Sequence, residues 1–379
     1  MKFYKLDNTN NTVELFKNID CDTTGANIML KKANIQILYI KDLHVGAANI
    51  LKQDALSIGA DLAVPIGTIL AKDKYVDAIL IGTSKHFEIL SKKELSQPFG
   101  LKDLAKELKS FIRDKKQTTK VMGIINANDD SFYNKSRFIN EDAIKRINQL
   151  IVDGADIIDI GAVSTKPGSV GVDESEELER VKPICDAIKN NRLYEKVDFS
   201  IDSYTHCVIE YALKSGFKIV NDITGLSDDK VGELVVSYDA TIVIMHMQNT
   251  PKDMQENPHY DNVMVEIDEF FKQKIEKAKN FGIKNIILDV GIGFGKTLEH
   301  NLILLKNMEH FLHFGYEVLV AASRKSMIDK IYPSEVEDRL AGTLAIHLDS
   351  VRKGATIVRT HDVKEHIQAI KVQEAIDNI

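Results

Sequence analysis

The chain has 379 residues, of which 44% are hydrophobic and 28% charged, and it carries a formal net charge of −7 with a pI of about 5.9. This composition is typical of a globular protein with one large and one smaller domain, and it excludes the basic footprint of a protein that binds nucleic acid or anionic membrane. The longest apolar runs fall far short of the roughly 20 residues of a membrane span, so no transmembrane helix is expected.

The N-terminus and the cysteines together predict a cytoplasmic protein. Residues 1–22 are polar where a secretory signal would need an apolar core. Cys21, Cys185 and Cys207 are odd in number and form no CxxC pair, so neither a disulfide framework nor a structural zinc site is predicted.

The first 115 residues predict a small α/β domain without a motif that indicates chemistry. The apolar runs are Ile35–Ile40 and Asp77–Ile81, and the helical segments are Gly46–Ile58 and Leu101–Ile112. This domain could pack against the rest of the chain, mediate self-association or dock another protein of the same pathway. A charged stretch, Arg113–Lys120, is the predicted linker.

From Lys120 onward, short β-rich runs alternate with segments whose apolar residues recur three or four apart, which is the pattern of parallel βα units. The predicted strands are Lys120–Asn126, Ile157–Gly161, Asp198–Ser203, Ile219–Ile223, Thr241–His246, Asn285–Gly291, Glu317–Ser323 and Ala355–Asp362. The helical segments are Glu174–Lys189, Val263–Asn280, Asp338–Arg352 and Lys364–Ile376. Eight repeats match the usual size of a closed (β/α)8 TIM barrel, roughly 250 residues. We therefore predict such a barrel over residues 116–379, with a doubly wound open sheet as the alternative.

Polar residues stand at the carboxyl end of every predicted strand, where a barrel gathers them at one mouth. They are Asn126, Ser164-Thr165-Lys166, Asp202, Asn221-Asp222, His246, Asp289 with Gly291–Lys296, Ser323–Ser326 and Arg359–Asp362. The acids and amides suit the N–H edge of a guanidine-like heterocycle. The cations, a hydroxyl and glycine-rich backbone suit phosphate oxygens. The pattern therefore indicates a ligand with two chemically different parts.

Eight collinear segments resemble the signature segments of the dihydropteroate synthases. They are MGIINANDDSF (122–132), GADIIDIGAVSTKPG (154–168), SIDSY (200–204), NDITGL (221–226), MHMQNTP (245–251), ILDVGIGFGKT (287–297), ASRKS (322–326) and KGATIVRTHDVKE (353–365). The resemblance implies a barrel enzyme of folate synthesis. In the implied reaction, the amine of p-aminobenzoate displaces pyrophosphate from the hydroxymethyl carbon of a dihydropterin, without a protein nucleophile.

The resemblance also implies roles for individual residues. Asp202, Asn221, Asp289 and Lys325 form the pterin pocket. Thr165, Arg359 and His361 hold the phosphates, and Asn126 coordinates Mg²⁺. The p-aminobenzoate site is shaped by Lys166, Pro167, Phe294 and Ser326, next to a helix N-terminus after Lys325. Lys325, Arg359 and His361 are the candidate catalytic residues, because a cationic site stabilises the departing charge. A homodimer is the oligomeric state that the resemblance implies.

Three positions depart from the family pattern. The first loop reads Asn-Ala-Asn-Asp-Asp-Ser-Phe from Asn126 where Asn-Val-Thr-Pro-Asp-Ser-Phe is usual, and Val163 stands where the family usually has Glu. Lys166 replaces an Arg, so a point charge replaces a bidentate fork. These changes bear on the affinity and geometry of the p-aminobenzoate site.

Some polar residues have a structural reading. Asp159, inside a strand, is interpreted as a buried structural partner, Asp222 as a brace for a loop, and His246 as either a strand-end histidine or a ligand contact. Seven histidines are interpreted as surface or helix residues: His206, His259, His300, His310, His313, His347 and His366. Residues 291–297 match neither a P-loop nor G-x-G-x-x-G, and they are predicted to form a flexible loop beside the ligand.

Two other functions compete with the synthase. A methyltransferase that uses methyltetrahydrofolate would share the barrel and the pterin edge, but it needs no pyrophosphate cradle, so the Ser-Arg-Lys-Ser and Arg-Thr-His segments favour the synthase. A catalytically silent homologue that binds pterin or a partner subunit is the second alternative.

Overall fold

The computed structural model describes residues 12–112, 118–127, 136–163 and 173–377. Contacts divide the chain into two units. The first consists of residues 1–115 with residues 313–315 and 374–379, and the second consists of residues 116–312 and 316–373.

The first unit is built around a three-stranded antiparallel sheet in the order β1-β3-β2. Its elements are helices α1 Thr12–Asn18 and α2 Thr23–Ala33, strand β1 Ile35–His44, helix α3 Val45–Ser57, strands β2 Asp61–Ala63 and β3 Tyr75–Thr83, and helices α4 Ser84–Lys93 and α5 Leu101–Ser110, with short 3₁₀ turns at Thr68–Leu70 and Glu94–Ser96. In β3, Val76, Ala78 and Leu80 alternate with more exposed residues, so one face of the strand is buried.

Eight parallel strands of the second unit close into a barrel. They are β4 Lys120–Asn126, β5 Ile157–Gly161, β6 Asp198–Asp202, β7 Ile219–Asp222, β8 Thr241–Met245, β9 Asn285–Asp289, β10 Glu317–Val320 and β11 Ile357–Thr360. β11 pairs with β4 and completes the ring. Apolar side chains fill the interior, among them Met122, Val243 and Leu319, as expected for a packed barrel rather than a pore.

Helices follow the strands around the barrel. They are α6 Ser136–Asp153, α7 Glu174–Asn190, α8 His206–Lys214, α9 Asp229–Ser237, α10 Val263–Phe281, α11 Leu298–Lys306, α12 Ser326–Ile331, α13 Leu340–Arg352 and α14 Val363–Asp377, with 3₁₀ turns at Leu193–Glu195, Met308–Phe314 and Val336–Arg339. Helix α10 shows how the sequence sets these bounds. The Asn262 side chain accepts hydrogen bonds from the Met264 and Val265 amides at its start, and Gly282 ends it with a φ of 88°.

Strand register brings polar residues to one level at the barrel mouth. Asn126 pairs with Gly161, Gly161 with Asp202, and Asp202 with Asn221. A β-carbon on Gly161 would lie 3.3 Å from that of Asp202, so this glycine leaves room for the carboxylate. The carboxyl ends of β4 to β7 therefore form one polar edge.

The predicted barrel with a preceding α/β unit is confirmed, and the alternative of an open sheet is wrong because β11 pairs with β4. All eight strands lie where the sequence predicts them, although several end earlier. Most of the predicted linker and both predicted loops, residues 128–134 and 164–172, lie outside the described residues. Within the described ranges, no helix combines the length and apolarity needed to cross a bilayer.

Candidate active site at the barrel mouth

Arg359 on β11 lies at the centre of the charged network. Its Nε donates to Asp159 Oδ2 at 2.6 Å, and one terminal nitrogen donates to Asp202 Oδ2 at 2.7 Å. Asn221 Nδ2 donates to the same Asp159 oxygen at 3.1 Å. Four residues from four strands are thereby joined, and they connect a predicted phosphate cation to two predicted pterin residues.

The network contains more carboxylates than its cation neutralises. Asp159 is fully buried, and its Oδ1 has no hydrogen-bond partner among the described residues. Burial raises the pKa of Asp202 to about 7, against the opposing effect of Arg359, and the nearby Asp159 and Glu177 charges add to the rise. Burial and the surplus of negative charge therefore make Asp202 easier to protonate than an exposed aspartate.

Asp289 ends β9 and faces the glycine-rich turn that follows. Its Oδ1 accepts a hydrogen bond from the Gly291 amide at 2.8 Å. Burial raises the pKa of Asp289, and the Gly291 amide and Lys325 oppose that rise. The carboxylate keeps further acceptor capacity, since each ionised carboxylate offers about four lone pairs.

Lys325 connects this turn to the carboxyl end of β10. Its Nζ donates to the Ile292 carbonyl and lies 4.2 Å from the centre of the Phe294 ring, which is a cation–π distance. Burial lowers the pKa of Lys325 to about 8, against the effect of Asp289. Lys325 therefore remains mostly protonated at neutral pH and places a cation beside an aromatic ring.

A second lysine, Lys296, is buried beneath the turn and ties it to the end of β8. Its Nζ lies 3.0 Å from His246 Nδ1, 3.2 Å from the His246 carbonyl and 2.9 Å from the Phe294 carbonyl. Burial lowers the pKa of Lys296 to about 7, and burial together with Lys296 lowers that of His246 to about 2. His246 is therefore neutral and accepts from the lysine.

The turn containing Gly291 and Gly295 is closely packed. A β-carbon on Gly291 would lie 2.0 Å from the His246 carbonyl, and one on Gly295 would lie 2.5 Å from the Gln248 carbonyl. Side chains also hold the backbone, because Asn301 Oδ1 accepts from the Gly293 amide at 2.7 Å and Tyr260 donates to the Gly295 carbonyl at 2.8 Å. The structure thus anchors a turn that the sequence predicted to be flexible.

Another group of residues joins the ends of β10 and β11. Ser323 Oγ lies 2.9 Å from His361 Nδ1 and accepts from the His361 amide at 3.3 Å. Arg324 forms a bidentate ion pair with Asp362, with distances of 3.0 and 2.6 Å. Two cationic segments that are far apart in sequence are thereby fixed side by side.

The remaining predicted residues occupy varied positions. Asn126 ends β4 and is half-buried, whereas Ser326 is exposed and begins α12, a helix of only 6 residues. Thr165, Lys166 and Pro167 lie outside the described residues.

Asp222 braces a turn, as predicted. Its carboxylate accepts hydrogen bonds from the Thr224 and Leu226 amides, both at 2.8 Å. Burial raises the pKa of Asp222, and these hydrogen bonds oppose the rise. The residue therefore serves the loop after β7.

Sequence reasoning missed Glu177 and assigned no role to Lys296, which it named only as the end of the turn after β9. The buried structural role predicted for Asp159 agrees with its pairing here, because an acid among Ile157, Ile158 and Ile160 must be paired when buried. No sequence signal indicated Glu177. The buried Glu177 accepts from the Ser203 and Thr205 hydroxyls, both at 2.6 Å, and so fixes the segment after Asp202.

Comparison with known proteins gives a consistent result. Residues 122–361 match the family described as pterin binding enzyme. The chain is 45% identical over 342 residues to a bifunctional dihydropteroate synthase/dihydropteroate reductase of Helicobacter pylori, and the alignment covers 90% of each chain.

Solved structures of similar proteins match the barrel. A dihydropteroate synthase of Clostridium difficile, crystallised in the presence of pteroic acid, is 39% identical with a TM-score of 0.64, covering 70% of this chain and 100% of its own. The Thermus thermophilus synthase in complex with 4-aminobenzoate is 34% identical with a TM-score of 0.62, covering 69% of this chain and 95% of its own.

Proposed function

Because this chain belongs to the dihydropteroate synthases of the pterin-binding enzyme family, we propose that its barrel mouth binds the two substrates in separate parts. The enzyme is a transferase that condenses 6-hydroxymethyl-7,8-dihydropterin pyrophosphate with p-aminobenzoate and gives 7,8-dihydropteroate and pyrophosphate.

The pterin part consists of Asp202, Asn221, Asp289 and Lys325. Support comes from Asp289, a buried carboxylate at the mouth that can accept two parallel hydrogen bonds from the N–H edge of the ring. Asn221 supplies an amide beside it. Because Asp289 and Asn221 are both buried, the low local dielectric strengthens these hydrogen bonds.

The pyrophosphate part consists of Arg359, His361 and Thr165. In support, Arg359 and His361 stand on the same strand end, and the Ser323 hydroxyl holds the His361 ring at 2.9 Å. An incoming pyrophosphate would compete with Asp202 for the Arg359 guanidinium, which is the group best suited to phosphate oxygens.

The p-aminobenzoate part consists of Lys166, Pro167, Phe294 and Ser326. Phe294 offers an aromatic side chain for contact with the benzoate ring. The Lys325 cation lies 4.2 Å from the centre of the Phe294 ring. The anchored turn fixes the Phe294 backbone, because Lys296 donates to its carbonyl at 2.9 Å. The substrate ring would thus meet a preformed surface.

The chemical step is a displacement at one carbon. The amine nitrogen forms a C–N bond, the C–O bond to pyrophosphate breaks with both electrons leaving on oxygen, and the amine loses a proton to water or to the released pyrophosphate. Lys325, Arg359 and His361 act as catalytic residues by stabilising the negative charge that develops on the leaving oxygen. The observation that carries this proposal is the Arg359 network, which holds a preorganised cation next to the pterin residues.

Mg²⁺ is the proposed cofactor, with Asn126 as its protein ligand. Asn126 is half-buried at the end of β4, in register with Gly161, and its amide oxygen is a donor that Mg²⁺ accepts. Sites of this kind use few protein ligands and complete the sphere with substrate phosphates and water. When bound, the ion would supply further neutralisation of the pyrophosphate.

The test is a turnover assay with the pterin pyrophosphate, p-aminobenzoate and Mg²⁺, following dihydropteroate and pyrophosphate. We expect a one-to-one yield, and we expect Asp289→Ala and Arg359→Ala to abolish it. Asp289→Ala should also lose pterin binding, whereas Arg359→Ala should keep part of it. Folded wild-type protein that binds pterin without turnover would instead be the silent homologue.

The proposed domains are an accessory α/β domain at residues 1–115 and the catalytic barrel at residues 116–379. We also propose a cytoplasmic location, supported by three free cysteines. A homodimer is proposed, with the exposed apolar Ile331, Tyr332 and Val336 as support for a contact surface on the barrel. Light scattering on the purified protein and fractionation of cells test these two points.

A dihydropteroate reductase activity is the second candidate function. The Helicobacter pylori relative bears that name, and an alignment covering 90% of this chain includes most of the first unit. The reaction would add a hydride from a reduced flavin or nicotinamide and a proton to a C=N bond of dihydropteroate. Incubating the full chain with dihydropteroate, reduced nicotinamide and flavin tests it, and an absence of tetrahydropteroate would remove the proposal.

A further inference from the structure

Two buried histidines lie behind the carboxyl ends of β10 and β11, outside the proposed ligand pocket. His347 on α13 and His366 on α14 are each only 1% exposed. His347 Nδ1 lies 2.9 Å from His366 Nε2. Burying two imidazoles is costly unless each nitrogen is satisfied, so their partners define the state of both rings.

The neighbouring groups determine which nitrogen carries each proton. The Ala322 amide can only donate, and it lies 3.1 Å from His347 Nε2, so that nitrogen is the acceptor. His347 Nδ1 must then carry the proton and donate to His366 Nε2. His366 Nδ1 in turn carries a proton and donates to the Asp362 carbonyl, which can only accept, at 2.6 Å. Thr360 Oγ1 lies 3.2 Å from the same nitrogen.

The result is a one-way chain of hydrogen bonds, through two neutral rings, from the backbone segment after β10 to the backbone segment after β11. Its two ends adjoin the phosphate side of the site. Ala322 precedes Ser323, and Asp362 follows His361. Ser323 Oγ and His361 Nδ1 lie 2.9 Å apart, so the two segments are joined directly by this contact as well as through the two imidazoles.

We propose that His347 and His366 are positioning residues that fix Ser323 and His361 for binding of the pyrophosphate group. The proposal rests on the proposed role of His361 in that site. An apolar pair of similar size would fill the space, but it would leave the Ala322 amide without the side-chain acceptor that sets the position of the backbone. The chain of hydrogen bonds from Ala322 through His347 and His366 to Asp362, here called the relay, instead holds both backbone segments in a single arrangement.

The relay works only while both rings are neutral. A second proton on His347 would set its Nε2–H against the Ala322 amide, and one on His366 would set two ring N–H groups against each other. Burial lowers the pKa of His347 to about 3, and the nearby His366 and Lys325 add to that effect. Burial also lowers the pKa of His366, against the opposing effects of Asp362 and Glu365. The environment therefore keeps both rings in the required state.

Nuclear magnetic resonance on full-length protein with ¹⁵N-labelled histidine tests the relay directly. We expect His347 and His366 to show the Nδ1–H tautomer at neutral pH, which is unusual for free imidazole, with assignments from single variants. An Nε2–H tautomer or a protonated ring at either position would overturn the proposal. This measurement reads the unchanged protein and needs no turnover, and the variants serve only to assign the signals.

Kinetics then test the positioning role. His347→Leu and His366→Leu should raise KM for the pterin pyrophosphate about tenfold, the cost of losing one well-placed hydrogen bond, with KM for p-aminobenzoate little changed. His347→Gln, which can accept and donate through one amide, should recover much of the loss.

Ile370→Ala is the matched control, because it removes buried packing one turn further along helix α14 and leaves every hydrogen-bonding group of the two-histidine chain in place. It should lower stability and leave both KM values unchanged. Equal changes in both KM values, no change, or a Gln variant as poor as Leu would overturn the positioning role. A wild-type protein without synthase activity would instead contradict the proposed function. The measurement of the histidine tautomers would still test the hydrogen-bonded chain in that case.

Discussion

Asp159 holds a charge inside the barrel and receives two donors on one oxygen. Arg359 and Asn221 both point at its Oδ2. We expect Asp159→Asn to lower kcat/KM for the pterin pyrophosphate about 10- to 100-fold, because both donors lose their shared acceptor. Since the Asp159 charge raises the pKa of Asp202, the acid limb of the pH profile should also move to lower pH. Steady-state kinetics between about pH 5 and 9 measure both effects.

Asp198→Asn is the control for this change. Asp198 begins the strand that Asp202 ends, and it forms an exposed ion pair with Lys218 at 2.7 Å. Exposed pairs contribute little, so its kinetics should match those of the unchanged protein. An Asp159→Asn protein with normal kcat/KM and an unmoved pH profile would contradict the role given to this residue.

The buried histidines should make folding stability depend on pH. An unfolded histidine takes up a proton below about pH 6.5, whereas folded His347 stays neutral down to about pH 3. The stabilisation from His347 is thus fully present above about pH 6.5 and is lost as the pH falls toward 3, by up to about 1.4 kcal/mol per pH unit, and the lowered pKa of His366 acts in the same direction. Urea unfolding at several pH values gives the free energy of unfolding as a function of pH. Its dependence on pH should be weaker for His347→Gln than for the unchanged protein. Equal slopes would show that His347 does not carry this dependence.

Single residues were predictable where their position in a strand carried the information. Asp202, Asn221 and Asp289 stand at strand ends, and a parallel barrel brings such positions together. The partner of Asp159 was not predictable. Arg359 lies 200 positions away in the chain, and local sequence patterns do not indicate which distant residues come into contact. The same holds for His347 and His366, which the sequence placed on helices without indicating that they are buried against each other.

The turn after β9 is an element whose backbone leaves no room for side chains at two positions. Gly291 and Gly295 have φ values of 67° and 61° and lie against backbone carbonyls. Gly291→Ala and Gly295→Ala should cost more than the roughly 1–3 kcal/mol of backbone strain alone and should abolish synthase activity, because the segment carrying Phe294 must shift. Unfolding measurements and the turnover assay test this expectation.

Gly282→Ala is the matched control, since Gly282 also has a positive φ of 88° but a β-carbon there meets nothing within 4 Å. It should cost about 1 kcal/mol and keep full activity. If all three variants behaved alike, strain rather than the close approach to β8 would explain the loss.

At the scale of elements, apolar periodicity predicted the strands and the long helices well. Helix α10 buries Val263, Ile267 and Phe271 four residues apart, which is a clear amphipathic pattern. Strand β2 is only Asp61–Ala63, which is too short for a period of two to be visible, so no sequence pattern predicted it. The anchoring of the 291–297 turn was also hidden, because glycine content alone does not reveal packing.

The whole chain joins the barrel to a smaller α/β unit, for which we propose an accessory role. We expect a protein limited to residues 116–379 to retain synthase activity, because the Clostridium difficile enzyme aligns over its full length with 70% of this chain. The reductase activity, if present, should require the full chain. Paired assays of both proteins test this division, and a folded barrel without synthase activity would show that the first unit is needed for catalysis.

Barrel closure was predictable at this scale because eight alternating repeats leave few other architectures. The role of the first unit was not, since its sequence has no motif and its sheet pairs in the order β1-β3-β2, which differs from chain order. The local alternation in β3 indicates a strand, but not which strands lie beside it.

The glycine turn also limits how this enzyme can diverge. Every missense change in a glycine codon adds a β-carbon, and at Gly291 and Gly295 that carbon would lie within 2.5 Å of a carbonyl of the neighbouring segment. Inherited variation that survives selection should therefore avoid these two codons and fall on Ile292 and Phe294 between them. Related enzymes that differ in the contacts of this turn should therefore differ at the side chains of positions 292 and 294 and keep the same backbone.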